Sequence, residues 1–377
     1  MKEGSSLPVL ARELYRQANS KRDLLVPASN LTVQSNGHTD LIAGETYAVN
    51  DIAHSQLAEY LGIPKPYYDR MRCATENVRV PVFDEKCGCP SDNPLFDVSV
   101  NALLRAKGDD CRLVRTLDNK ARAFLSDSYS VDLDNFDVFQ VAAKVIEEQG
   151  LGPENVVSAE ITERKLYVKV ISPKLQATIQ PDNVRSGGML KEPQVIQAGF
   201  ILTNSEVGLG SLSVQQTVMK LMCTNLWIKE DAYKQRHIGK TLESDDVGTI
   251  YRSDTRIADA KARLLKIRDH VESALNEHQF LALAQKMQET AHIRLEGSIE
   301  KVVDNSAKRF GLIQSEKEDV LRNLIEGADL TAWGLTNAIT QTAQGVKSYD
   351  RATELEAIGG KFFTMPSSEL REIVTAN

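Results

Sequence analysis

Long apolar runs are missing from this chain of 377 residues. No window approaches the roughly 18 consecutive apolar residues needed to cross a bilayer, so no membrane-spanning role is expected. The opening, MKEGSSLPVLARELYRQ, shows no apolar core of the secretory kind behind its first charges. Cysteine is scarce: Cys73, Cys87, Cys89, Cys111 and Cys223 are all there is. An odd set of this kind argues against a disulfide framework and fits a reducing cytoplasm. Cys87 and Cys89 lie one residue apart in KCGCP with no second pair to complete them, whereas structural zinc sites pair ligands two to four residues apart, twice. The six histidines are scattered and form no His-Glu-x-x-His pattern, and His278 falls in an apolar helical stripe that favours a packing role. Neither a metal nor a cofactor is expected.

Positive charge is not in excess either, with 45 Lys and Arg against 52 Asp and Glu and a formal net charge of -7. A polyanion would have to meet a local patch rather than the whole surface. Nucleotide loops are also wanting. In TNSEVGLGSLSV, Gly208 and Gly210 are followed by Ser213 where a dinucleotide fingerprint needs its third glycine, and no clear helix start follows. IGKT at 238–241 carries the end of a P-loop, but Lys234 stands where its leading glycine should be. The Gly-x-Ser-x-Gly elbow of serine hydrolases does not occur.

What is present is enough apolar residue, 42%, to build the cores of two or three domains. Leu7, Leu10, Ala11 and Leu14 recur at helical spacing and predict a helix over about 6–20. Asn50 or Asp51 can cap a second helix with Ile52, Leu57 and Leu61 on its apolar face and Gly62 at its end. With the IPKPYY stretch read as a turn, this unit has a mild likeness to a helix-turn-helix module, although a packing helix before a proline-rich turn is the plainer expectation. The middle third holds β-branched and alternating runs. Leu166, Val168 and Val170 face one way and Tyr167, Lys169 and Ile171 the other, which suits a sheet with one well-buried face. VMKLMCTNLWI reads as one strand-like run and predicts burial of Cys223. FDVFQVAAKVIEEQG reads as a helix closed by Gly150. From about residue 254 the apolar positions recur at three and four, and the C-terminal third reads as helix. The expected fold class is α+β: a central, mostly antiparallel sheet over roughly 110–240 with flanking helices and a helical C-terminal part. The regions are an N-terminal helical and loop region 1–100, a mixed sheet region 101–245 and a helical region 253–377, with a soft boundary at 242–253.

Six segments stand in a specific order: ARAFLSDSYSVDL (121–133), NSEVGLGSLSV (204–214), MKLMCTN (219–225), RHIGK (236–240), LTNAITQTAQ (335–344) and ELEAIGG (354–360). From about residue 100 onward the chain resembles the phage- and plasmid-borne family known as domain of unknown function 932. One departure is that Leu226 follows Asn225, where the family pattern continues Cys-Thr-Asn with a glycine and hence with a turn. The resemblance implies carriage on mobile DNA and a cytoplasmic setting, and supplies no established activity.

Three functions are open at this level. The first is a nucleic-acid-binding module, a single-strand binder or annealing-like protein, because Arg112, Arg115 and Arg122 interleave with Phe124 and Tyr129 in one short region and such binding uses charge together with stacking. The second is an enzyme of unknown reaction around Asn204, Glu206, Asn225 and His237. The third is an interaction protein that targets a host factor through its C-terminal helices, which also offer a route to a homo-oligomer. TNSEVGLGSLSV itself reads as a strand-end hairpin, with Gly208 and Gly210 permitting positive φ and Asn204 and Ser205 bonding to the turn backbone.

Overall fold

A computed structural model of the chain describes residues 1–376 apart from 36–38, 75–77, 84–89, 130–132, 181–191, 223 and 236–252. His237, Cys87, Cys89, Cys223, the IGKT segment and nearly all of the expected boundary at 242–253 lie outside the described residues.

Helix α1 (Leu7–Ser20) forms where its spacing predicts and buries Leu10 and Leu14. Four short strands follow, β1 (Arg22–Pro27), β2 (Thr32–Ser35), β3 (Thr39–Ala43) and β4 (Glu45–Val49), then α2 (Asp51–Tyr60) and α3 (Lys65–Ala74). The Asn50 side chain accepts from the Ala53 amide at 2.8 Å and so fixes the start of α2; Gly62, at φ 71°, ends the turn beyond it. The proline-rich stretch is not only a turn, because Pro66 sits in the first turn of α3, where a missing N–H costs nothing. After β5 (Arg79–Phe83), β6 (Pro90–Pro94) and α4 (Leu95–Ala106) come β7 (Cys111–Leu117) and β8 (Lys120–Ser126). A six-stranded sheet then assembles in the order β1-β7-β8-β4-β3-β2. Residues before 100 thus supply four of its strands, which the expectation of a helical and loop region missed. One edge is closed by a side chain: Asn101 of α4 accepts from the Val33 amide at 2.7 Å and donates to the Val33 carbonyl at 2.9 Å.

Helix α5 (Asn135–Glu148) leads into the central sheet of β9 (Val156–Ile161), β10 (Leu166–Ile179), β11 (Gln194–Asn204), β12 (Leu212–Lys220) and β13 (Asn225–Gln235), an antiparallel meander in the order β13-β12-β11-β10-β9. One face presents Leu166, Val168, Val170, Phe200, Leu202 and Val214 to α1, α5 and α6 (Ser253–Ala274). The opposite face is not solvated, as a singly buried sheet would be: Tyr167, Lys169 and Ile171 are all buried too. The run read as one strand across 218–228 is broken at Leu221–Thr224, where Thr224 takes φ 49°. The turn falls just before Asn225, so Leu226 occupies a buried strand position without displacing it.

The remaining helices are α7 (Glu277–Thr290), α8 (Ile299–Phe310), α9 (Gln314–Gly327), α10 (Ala332–Gly345), α11 (Tyr349–Lys361) and α12 (Ser367–Val374). Those from α8 onward share a core of their own, including Val303, Val320, Leu335, Leu355 and Ile373. The chain is therefore α+β, with a helical C-terminal part. Among the described residues no helix is long and apolar enough to cross a membrane. The paired glycines of ELEAIGG explain how α11 lies on β13: a Cβ on Gly360 would stand 2.0 Å from the Ile228 carbonyl oxygen, which belongs to backbone and cannot rotate away. Gly360→Ala should therefore destabilise by about 1–3 kcal/mol, as overpacking does. Thermal unfolding of the variant checks this, and an unchanged midpoint would refute the close approach.

Candidate functional site

The stretch 203–214 is a hairpin connection between β11 and β12, and Gly208 takes φ 75° in it. Gly210 has no positive φ. The Ser205 hydroxyl accepts from the Leu209 amide at 3.2 Å, as a turn residue should. Asn204 instead turns inward, donating to the Leu133 carbonyl at 2.9 Å and to Asn135 Oδ1 at 3.0 Å. Glu206, 4% exposed, accepts from the Asn135 amide at the start of α5 at 2.7 Å and from Arg122 Nη1 at 3.2 Å. A carboxylate at a helix N-terminus meets amides with no intrahelical partner, which stabilises both.

Two of the three arginines expected to meet phosphates, Arg115 and Arg122, converge on this same node. Arg115, 1% exposed, grips Asp23 with two bonds of 2.7 and 2.8 Å and reaches Asp134 at 3.0 Å. Lys21 pairs with Asp134 as well. Burial works against the Arg115 charge, but the bonded Asp23 and the nearby Asp134 and Glu206 outweigh it and raise its pKa above the ordinary arginine value. Burial pushes Asp134 upward despite Arg115, and it pulls Arg122 downward despite Glu206. Tyr129 donates its hydroxyl to the Ser205 carbonyl at 2.7 Å. A buried guanidinium committed to Asp23 and Asp134 is not offered to a ligand, so Arg115, Arg122 and Tyr129 tie the N-terminal sheet to the β11–β12 hairpin. Arg112 lies apart, 4.4 Å from the centre of the Tyr60 ring and 5.3 Å from that of Phe124. Burial lowers its pKa while Tyr60, Asp110, Asp127 and Glu59 oppose the shift, so its surroundings are acidic.

Asn225 is not near this node. It begins β13 opposite Lys220 of β12, which faces Ile196 at the far end of β11 from Asn204, a separation of roughly 25 Å along the strand. There the Asn225 side chain donates to Asn337 of α10 at 3.3 Å and accepts from Gln344 at 2.9 Å. Asn204, Glu206 and Asn225 therefore do not assemble into one catalytic group. A second buried node lies under α11, where Lys169 Nζ meets Glu356 Oε2 at 2.6 Å with both residues 0% exposed. Burial lowers the Lys169 pKa, with Glu356 opposing it. The Tyr349 ring centre is 4.6 Å from the Lys169 ammonium, and the Tyr349 hydroxyl bonds Ser158 at 2.5 Å. The alternation of β10 marked Lys169 only as one face of a strand, and nothing in the sequence paired it with Glu356.

Another group of polar side chains lines a cleft of about 80 Å³ between β12, β13 and the α6–α7 junction. Lys229, His270, Ser273 and Gln279 line it together with Gln216. Gln216 is 4% exposed; its Nε2 donates to the Ala274 carbonyl at 3.1 Å, and its Oε1 has no hydrogen-bond partner among the described residues. Along α6, Lys261, Lys266 and Arg268 are exposed, and Arg268 leans on Asp269 at 3.1 Å. A larger cavity of about 360 Å³ lies beneath α1 and α5 and is lined mostly by apolar side chains, with Phe139, Ile146, Leu151 and Val168 among its walls and Glu147 as its one charged side chain. Among the described residues no group of three or more His, Cys, Asp and Glu is placed to hold a metal ion.

The fold and its polar nodes define an α+β protein built on a five-stranded antiparallel meander, with α1, α5 and α6 on one face, C-terminal helices on the other and the N-terminal sheet against its β11–β12 hairpin. Residues 123–361 match the model of a protein family described as Domain of unknown function (DUF932), and the chain belongs to that family. No curated protein and no solved structure matches the chain. The matched stretch supplies the acids Asp134 and Glu206 of the first node, while Lys21, Asp23, Arg115 and Arg122 come from residues before it.

Proposed function

We propose that the chain is a single-strand nucleic-acid-binding module whose contact surface runs over α6 and β13 rather than over the strands that carry Arg115 and Arg122. The observation that carries this reading is the convergence of Lys229 and His270 in one cleft, with the exposed Lys266 one turn before His270 on the same side of α6 and the exposed Lys261 and Arg268 on the other side of that helix. In a chain of net charge -7, the exposed Lys261, Lys266 and Arg268 of α6 are local cations of the kind a polyanion requires. Carriage on mobile DNA and a cytoplasmic setting accord with strand handling. Pairing of copies through the C-terminal helices belongs to the same reading, with Ile313 and Ile325, each 60% exposed, as outward apolar groups.

Fluorescence anisotropy of a labelled single strand at two salt concentrations tests it. Each cation that neutralises a phosphate contributes about 0.7 to the negative slope of log affinity against log salt. Lys261→Ala and Lys266→Ala should each flatten that slope without altering the fold, since both side chains are exposed. Absence of binding at low salt would end the proposal.

A further inference from the structure

We infer that the cavity of about 360 Å³ beneath α1 and α5 is a binding site for a small aromatic amine, whose apolar body fills the cavity while its ammonium group stays at the rim. The site uses none of the residues of the nucleic-acid reading and stands or falls apart from it. One wall is a stripe of α5 at helical spacing, Phe139, Ala142, Ala143, Ile146 and Glu147. Ala142 and Ile146 are buried together with Val168 of β10 and form the floor, whereas Ala143, Glu147 and Pro153 are exposed and form the mouth. The room comes from the two alanines, whose methyl groups leave unfilled the space that longer side chains on such a stripe take up. Walls of this kind offer water few partners, and a space within the range of small-molecule sites, about 300–1,000 Å³, gains by burying an apolar ligand. A dry cavity of about 150 Å³ holds one benzene ring, so this one takes two fused rings, with Phe139 as their aromatic neighbour. The rim sets the charge. Among the described residues the Glu147 and Glu154 side chains make no hydrogen bond or ion pair, and the Glu154 carboxylate lies over Gly152, a wall residue, where a Cβ would stand 2.3 Å from Oε2. The cations nearby are engaged, Lys144 with Glu148 at 3.8 Å and Lys174 with the Gln149 carbonyl at 3.1 Å. A carboxylate head would be repelled at this rim and an ammonium attracted.

Calorimetry on the full chain with tryptamine, tryptophol and indole-3-acetate tests this, because the three share one ring system and differ in the charge of its tail. Tryptamine should bind once per chain and, at low salt, about fivefold more tightly than tryptophol, the size expected of an exposed ion pair; indole-3-acetate should be the weakest. Replacing both rim acids, Glu147→Gln with Glu154→Gln, should bring tryptamine to the affinity of tryptophol and leave tryptophol unchanged. Ala143→Trp, at an exposed position, should close the mouth to all three compounds, with circular dichroism confirming the fold. No binding of tryptamine at millimolar concentration would overturn the site, as would an amine bound no more tightly than the alcohol or the acid; neither comparison needs a variant. Tryptamine binding that survives Ala143→Trp in the folded variant would also overturn it, since the amine would then sit elsewhere on a chain of net charge -7.

Discussion

Lys169→Met should cost about 3–5 kcal/mol of stability, because it strands the Glu356 carboxylate in a place with no water. Both partners are 0% exposed, and Glu356 Oε1 already lacks a hydrogen-bond partner among the described residues, so the second oxygen depends on the 2.6 Å contact to Lys169. Glu356→Leu should be comparably costly, since it leaves an ammonium beside the Tyr349 ring with no counter-charge. The double variant should recover most of the loss, as apolar replacement of a whole buried pair commonly does. Urea unfolding of the wild type, both single variants and the double variant closes the cycle. Single variants within about 0.5 kcal/mol of wild type, the usual range for surface substitutions, would remove the pair from any account of stability.

A comparable effect is expected of His54, and here it is a matter of pH. The residue is 1% exposed, shares a 2.9 Å hydrogen bond with the Tyr68 hydroxyl through Nδ1, and its Nε2 has no partner among the described residues. Burial first, and then the charges of Arg72 and Lys65, lower its pKa from 6.5 to about 3. Because the folded pKa is depressed for a base, the unfolded chain binds the proton first as pH falls, and stability is lost from about 6.5 down to about 3. The loss reaches about 2 kcal/mol at pH 5 and about 4 kcal/mol at the bottom of the window, at about 1.4 kcal/mol per pH unit. His54→Gln should flatten this dependence. Far-UV circular dichroism is the suitable probe, since Trp227 and Trp333 pack together far along the chain, in the cluster with Phe280 and Phe363. Parallel pH profiles for wild type and variant would show that His54 is not the sensor.

Local signals in the sequence predict the structure where the cause is local. The Asn50 cap, the Gly62 stop and the left-handed Gly208 each depend on a few neighbouring residues. The helix 7–20 follows from one stripe whose burial is decided by its own spacing. What failed depended on partners far away. Alternation in 166–171 identifies two faces, but it cannot say that α11, almost 200 residues later, covers the second one. Arg115 and Arg122 look like the outward cations of a strand because their counter-charges, Asp23, Asp134 and Glu206, are scattered over more than 180 residues. The strands before residue 50 are short and irregular, and the sheet is evident only once β7 and β8 arrive. Gln216 carried no signal: a glutamine in a strand becomes informative only when one end of its amide is bonded and the other is not.

The N-terminal sheet has a consequence for the chain as it is synthesised. Strand β1 pairs with β7, joining Arg22 to Thr116, so for the whole interval in which residues 28–110 emerge from the ribosome β1 has no neighbour in that sheet. Helix α1 waits longer, since the Leu10 and Leu14 side chains bury in a core completed by α5, β10 and α6. The entropy lost in closing so long a loop grows only slowly with its length, but non-local pairing delays folding and leaves apolar groups such as Leu10, Leu14 and Leu24 open to other contacts meanwhile. The first 30 residues are therefore the segment a chaperone would meet, and nascent chains stalled before residue 111 should be far more sensitive to protease there than chains stalled beyond residue 275.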